Sequence, residues 1–380
     1  MRTAIIMKFA IVLSLFLVAL EAVPSAVGEK ASVCSDDECT DQCRCSSAEH
    51  PLPDSDLEDI PQLISLTFNE ALTEDIVKKF WKPLFFNRAN PDGVPIGATF
   101  FVPHEYTNYK MVNDVFNLGF EVAVHSITDS PQIYWRNATE EILTQEFDGQ
   151  KKIISKFANI PTENIIGVRT PQLQLAGNIS IKAYQAAGLQ YDSSWPTTPI
   201  KPLFPYTLDY LSTQECNLGN ECPNEAFPDF WILPINDLNG NETWCNTMSD
   251  CNVVGTADQI ADWLTNEVDI IRNNTKLPMT LIVNSNWFDF IANSYAGFEK
   301  FLNRLQEKKD VFLVSQKQVL DWMKNPVTLS EFKTESPSNS ASCHPVRCTL
   351  DKDGETRYMD SCVACPKVYP WLGNPDGDKK

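Results

Sequence analysis

Four short apolar runs in this chain each end abruptly in polar residues, and that recurrence constrains the fold more than any other feature. The runs are Leu63–Glu70 (LISLTFNE), Glu121–Asp129 (EVAVHSITD), Ile165–Pro171 (IIGVRTP) and Met279–Trp287 (MTLIVNSNW). A brief apolar stretch bounded by polar groups reads as a strand buried on both faces, the pattern of a parallel sheet. Strands are predicted over Gln62–Phe68, Gly97–Val102, Phe120–His125, Asn164–Arg169, Leu189–Ser193, Phe230–Ile235, Met279–Asn284 and Val311–Val314. Helical patterns fall between them, over Thr73–Phe85, Tyr109–Leu118, Thr139–Phe157, Ile179–Ala187, Thr256–Ile271, Tyr295–Gln306 and Gln316–Lys324. Thr139 and Thr256 supply hydroxyl caps with early acidic or amide residues behind them. The alternation predicts an α/β fold, a parallel sheet closed into a barrel, with its chemistry gathered where the strands end.

A chain of 380 residues, 43% of them hydrophobic, suffices for one large core with small appendages. Residues 1–28 read as a secretory signal: Arg2 and Lys8, then apolar Phe9–Leu20, then small residues from Ala22 to Gly28. That run is shorter than the ~20 residues that cross a bilayer, so no membrane span is expected. The twelve cysteines fall into three groups: Cys34, Cys39, Cys43 and Cys45; Cys216, Cys222, Cys245 and Cys251; Cys343, Cys348, Cys362 and Cys365. An even count behind a signal segment reads as disulfides. Cys362-Val-Ala-Cys365 has the spacing of half a zinc ribbon, which an oxidising compartment disfavours. Sequons begin at Asn137, Asn178, Asn241 and Asn273. These features divide the chain into a signal segment (1–28), a cysteine-rich segment (29–50), a barrel (51–330) and a linker with a cysteine-rich tail (331–380). A loop insertion at 196–252, rich in proline and aromatic residues, belongs beside the substrate groove. The net charge of −19 excludes nucleic acid as a partner and keeps a secreted chain soluble.

His125 and Asp129, four residues apart at the end of one run, suit a metal or catalytic site. The ordered motifs TFNEAL (67–72), GATFF (97–101), EVAVHSITD (121–129), GVRTPQLQLAGN (167–178), YDSSW (191–195) and VNSNWF (283–288) carry a resemblance. They resemble the polysaccharide deacetylases of carbohydrate esterase family 4, and more narrowly insect chitin deacetylases of the short midgut type. The likeness covers residues 54–325, and the tail VACPKVYPWLGNPDGD (363–378) is similar to theirs as well. It implies a distorted (β/α) barrel and a secreted monomer of the gut lumen or peritrophic matrix. It also implies chitin or its oligosaccharides as partner, and zinc or another divalent ion as cofactor. In that family one Asp ending the first strand is the base that activates metal-bound water, and its neighbour binds the metal. Two His complete the metal site, and a late His protonates the leaving amine. Carried onto this chain, the base position is Asn69, the metal carboxylate Glu70, the histidine pair His125 and Asp129, and the acid position Asn284. Arg169 and Asp192, which orient base and acid, are retained, as is Trp195 on the groove wall.

An asparagine at either proton-transfer position cannot do the work. Asn69 is far too weak a base, and Asn284 donates a hydrogen bond but no proton; each such group is worth about 10²–10⁴ in rate. Glu70, His125 and Asp129 remain as one imidazole and two carboxylates, a candidate metal set. The alternative is that His125 and Asp129 bond each other or their loop. Glu70 is one methylene longer than Asp, a displacement of ~1 Å against ligand tolerances of about 0.2 Å, so a weak metal site or none is expected. Arg169, having lost its Asp partner, is expected to pair with Glu70 or Asp192. Tyr106, Trp195 and Trp287 are candidates to stack on sugar faces, with ordinary packing as the alternative. Three functions stay open: a chitin-binding relative without deacetylation, an active deacetylase with Glu70 as base, and a structural glycoprotein of a chitin-containing matrix.

Overall fold

The computed structural model describes residues 28–35, 39, 42–335 and 340–379. The predicted signal segment lies outside the described residues apart from Gly28, as does the centre of the predicted linker, 336–339. In chain order the strands are β1 (Gln62–Phe68), β2 (Thr99–Pro103), β3 (Glu121–Ser126), β4 (Gly167–Val168), β5 (Tyr191–Asp192), β6 (Pro196–Thr197), β7 (Tyr206–Leu208) and β8 (Phe227–Ile232). They continue with β9 (Ile235–Asn236), β10 (Leu238–Asn239), β11 (Trp244–Cys245), β12 (Met279–Ile282), β13 (Val311–Leu313), β14 (Val346–Lys352) and β15 (Glu355–Ser361).

Every residue of β1 is buried, as a parallel strand covered on both faces requires. β12 lies along one side of it. On the other side β13 pairs with Gln62–Ile64, while β2 takes Thr67 and Phe68. β13 is thereby wedged between β1 and β2, and the Gly97 N–H completes the wedge on the Leu313 carbonyl at 2.8 Å. A Cβ on Gly97 would stand 2.6 Å from the Ser315 backbone nitrogen, so only glycine lets the chains approach. From β2 the parallel ladder continues through β3, β4 and β5 to β8, and antiparallel β7 forms the edge.

Among the described residues the barrel is not closed by a continuous ladder between β8 and β12. Pro234, which has no N–H to donate, separates β8 from β9, and pairing resumes beyond it between β9 and β6. The insertion fills the seam to β12 instead: Asn236 Oδ1 accepts the Thr280 N–H at 2.7 Å, and the Met248 N–H donates to the Ile282 carbonyl at 3.1 Å. That seam is the distortion of the barrel.

Helices Tyr109–Asn117, Glu140–Phe157, Asn178–Ala186, Ala257–Asn274, Ser294–Glu307 and Gln316–Lys324 lie within a few residues of their predicted spans. Their starts obey local chemistry. Thr139 accepts from the Ile142 N–H, and Thr256 and Ser315 form complete capping boxes with Gln259 and Gln318. The main core joins the sheet to these helices. A second cluster, including Leu63, Phe101, Ala123, Tyr191 and Trp231, is joined by Leu320 and Met323 of the last helix.

The cysteines pair within their sequence groups: Cys34–Cys45 and Cys39–Cys43, Cys216–Cys222 and Cys245–Cys251, Cys343–Cys362 and Cys348–Cys365. Cys362 and Cys365 are therefore not half of a zinc ribbon. The tail forms the antiparallel hairpin β14–β15, which sequence reasoning missed. Its signal was the Asp353-Gly354 pair, both residues at positive φ (55° and 87°), between alternating strands.

Candidate active site

The polar strand ends do meet at one pole. Asn69, one residue past β1, donates its N–H to Asn284 Oδ1 at 3.0 Å. Its own Oδ1 accepts from Arg169 Nη1 at 2.9 Å. The base and acid positions of the family are thus occupied by two asparagines, joined through the Asn69 backbone N–H and not through its side chain.

Arg169 follows β4 and is fully buried, with Nη1 also donating to Thr67 Oγ1 at 2.6 Å. Its Nε and Nη2 donate to the carbonyl and hydroxyl of Ser193 at 2.5 and 2.8 Å. The guanidinium lies over the Phe101 ring, 4.2 Å from its centroid. Every acceptor is neutral, so the expected ion pair with Glu70 or Asp192 is not formed. Burial without a hydrogen-bonded carboxylate pushes the Arg169 pKa down to about 9.

Glu70 turns toward the end of β12, where its Oε2 accepts the N–H and hydroxyl of Ser285 at 3.0 and 2.6 Å. Its Oε1 is buried without a well-formed hydrogen bond, with the Trp81 indole nearby. Burial raises the carboxyl to about 7, against the pull of Ser285 and Trp81. Asp192 is also fully buried; it accepts from the Ser194 hydroxyl and from Trp195 Nε1 at 2.7 Å. Burial raises it to about 7 as well. Its hydrogen bonds go to its own turn and not to Asn284, so the expected support of the acid position is not made.

His125 is the penultimate residue of β3, and its Nδ1–H donates to the Arg169 carbonyl at 2.6 Å. Its bare Nε2 faces Asp129 Oδ1 at 3.7 Å, too far for a hydrogen bond. Burial lowers the His125 pKa, against the pull of Asp129. Asp129 sits in the left-handed region (φ 44°) with its N–H donating to Ser126 Oγ at 3.0 Å. The carboxylate that shapes this turn is Glu146, which accepts from the Ile127 N–H, from the N–H and hydroxyl of Thr128, and from the Tyr134 hydroxyl. Sequence reasoning missed it. Its signal was a carboxylate on the buried stripe of a helix, beside Leu143, Phe147 and Gln150.

Glu70 does not join His125 and Asp129. Among the described residues, only Cys34, Cys39 and Cys45 bring three His, Cys, Asp or Glu donors within 4.8 Å of one another, and those sulfurs are in disulfides. One imidazole nitrogen and one carboxylate do not make the three-residue centre that the family's divalent ion needs. The candidate metal set is therefore not assembled.

Two further expectations change. Trp195 and Trp287 are buried, so neither offers an open face to a sugar. Trp195 instead packs as the donor to Asp192, and Trp287 packs edge-on against Phe298. Tyr106, in the loop after β2, is exposed. Of the sequons, Asn137, Asn241 and Asn273 are exposed, while Asn178 is engaged. Asn178 Nδ2 donates to Asn224 Oδ1 and Glu225 Oε1, and its Oδ1 accepts both backbone N–H groups of those residues.

A scan against protein-family models found no match. The chain is 34% identical over 392 residues to "Chitin deacetylase 8" of Bombyx mori, covering 97% of this chain and 99% of that protein. It is 32% identical over 378 residues to "Chitin deacetylase 1" of the same species, covering 92% of this chain and 69% of that protein. Among solved structures, a family 4 acetyl xylan esterase from Clostridium thermocellum in complex with a cobalt ion matches 71% of this chain and 95% of that chain at 14% identity. Its TM-score is 0.41. No helix among the described residues is long and apolar enough to cross a membrane. With a third of the residues shared over nearly the whole chain, this protein belongs to the chitin deacetylase family.

Proposed function

We propose a secreted chitin deacetylase-like protein that binds chitin or N-acetylglucosamine chains and whose deacetylase activity is lost or strongly impaired. One observation carries this reading: Asn69 and Asn284, held together by a 3.0 Å bond from the Asn69 backbone N–H to Asn284 Oδ1, put side-chain amides where proton transfer needs a base and an acid. The separation of Glu70 from His125 and Asp129 supports it, because water would lack a metal to activate it. Deacetylation requires water to add to the acetyl carbonyl and a proton to reach the departing amine. Neither amide supplies or removes that proton near neutral pH.

Acetate release from chitin oligomers, with zinc or cobalt supplied, tests the reading. The parent is expected to stay at the metal-only blank. A variant carrying Asn69→Asp, Glu70→Asp, Asp129→His and Asn284→His is expected to release acetate. Release by the parent overturns the proposal, and silence from a folded variant counts against chitin as substrate.

A second reading is favoured by the unpartnered Oε1 of Glu70. An active deacetylase with a rearranged site would use that carboxylate as its base. Parental activity that survives Glu70→Gln would exclude it.

A further inference from the structure

Beside the barrel mouth lies a concavity that, of the candidate site residues above, only Tyr106 lines. It encloses about 420 Å³ between the loop after β2 and the tail hairpin, with Thr73, Tyr106, Arg347, Arg357, Tyr358 and Tyr369 among its walls. Thr73 stands just beyond Glu70, and Tyr106 just beyond the end of β2, so the cleft opens at the same pole as Asn69 and His125.

Two features separate it from ordinary surface. Tyr106 and Tyr358 are 77% and 60% exposed, large aromatic rings left in water in one cleft. Tyr106 is held there by backbone at φ 64°, a left-handed conformation that a residue with a Cβ adopts only under constraint. The constraint is Thr107, whose N–H and hydroxyl donate to the His104 and Pro103 carbonyls at 3.2 and 2.7 Å. The charged groups of the cleft also cancel. Arg357 faces Glu105 at 3.5 Å and Arg347 faces Asp360 at 3.8 Å, while Arg347 also lies over the Tyr358 ring at 5.4 Å.

Exposed rings amid paired charges match a flat, uncharged, hydroxyl-bearing ligand. The C–H face of a sugar ring can lie on an aromatic plane while its hydroxyls exchange hydrogen bonds with guanidinium and carboxylate groups. An anionic polymer would meet Glu105 and Asp360, and an apolar ligand would strand four charged side chains. We propose that this cleft is a carbohydrate-binding site for sugar units of an N-acetylglucosamine chain running past the barrel mouth. The tail hairpin forms one wall. The ligand class rests on the functional reading above, whereas the site rests on Tyr106 and Tyr358.

Titration calorimetry of the full chain with a chitin hexamer tests it. Tyr106→Ala with Tyr358→Ala is expected to weaken binding about tenfold, and the paired Tyr→Phe variant to keep parental affinity. Equal affinity of the alanine variant and the parent overturns this site and leaves the functional reading standing. Equal loss in the alanine and phenylalanine variants overturns the stacking role. A parent that does not bind the hexamer overturns both the ligand class and the functional reading.

Discussion

Single residues at this pole illustrate how burial sets chemistry. His104, just past β2, is buried between Tyr109, Tyr369 and Trp371. Its Nε2 faces the Pro370 carbonyl at 3.0 Å, which can only accept, so the proton resides there and Nδ1 accepts from the Tyr109 hydroxyl at 2.7 Å. Burial pushes its pKa down to about 3. An unfolded histidine takes up a proton below about pH 6.5, while the folded one stays neutral. Stability from this residue is therefore intact above pH 6.5 and is lost as pH falls toward 3, by up to about 1.4 kcal/mol per unit. We expect the urea midpoint of the parent to drop between pH 7 and pH 5 more than that of His104→Gln. Parallel curves would show that His104 does not set the slope.

At the scale of elements, irregular segments do work that strands and helices do not. The described part of the N-terminal segment runs along the edge strand β7, with the Thr207 N–H donating to the Arg44 carbonyl at 3.0 Å. An otherwise open edge is thereby covered. Helix Asn178–Ala186 is tied to the loop at Asn224 and Glu225 through its first side chain, Asn178. Both Nδ2 hydrogens are used, and a glycan would replace one of them. Glycopeptide mapping of protein expressed through a secretory pathway is expected to find Asn178 bare, with any occupancy confined to Asn137, Asn241 and Asn273. A glycan on Asn178 in folded material would contradict this geometry. In the helical segment 74–85, Val77–Trp81 is a π turn and Pro83 follows it. A proline with no N–H to donate sits at the point where the winding changes.

The whole molecule is a barrel carrying locally stapled appendages. All six disulfides close loops within one sequence group and none ties an appendage to the barrel. The tail is docked by weaker contacts, such as the Cys362 N–H on the Phe157 carbonyl at 2.8 Å and His104 on Pro370. Cys348–Cys365 spans 17 residues and should constrain the tail by about 3 kcal/mol. Replacing both with serine is expected to raise hydrogen exchange over 343–379 while β1 to β3 keep their protection. Loss of protection in β1 at the same time would mean that tail and barrel unfold together. The sequence by itself determined the strand and helix order, because buried apolar runs and capping residues act over a few neighbours. It also determined which residues stand at the pole, since chain order puts Asn69, His125, Arg169 and Asn284 at strand ends. Which of them touch was decided only by the tertiary structure. Side-chain direction and burial turned Glu70 to Ser285, gave Arg169 neutral acceptors, and enclosed Trp195 and Trp287. Pro234 could be read in the sequence, but the seam beside it, filled by Asn236 and Met248, depends on contacts between residues far apart in the chain that no local rule encodes.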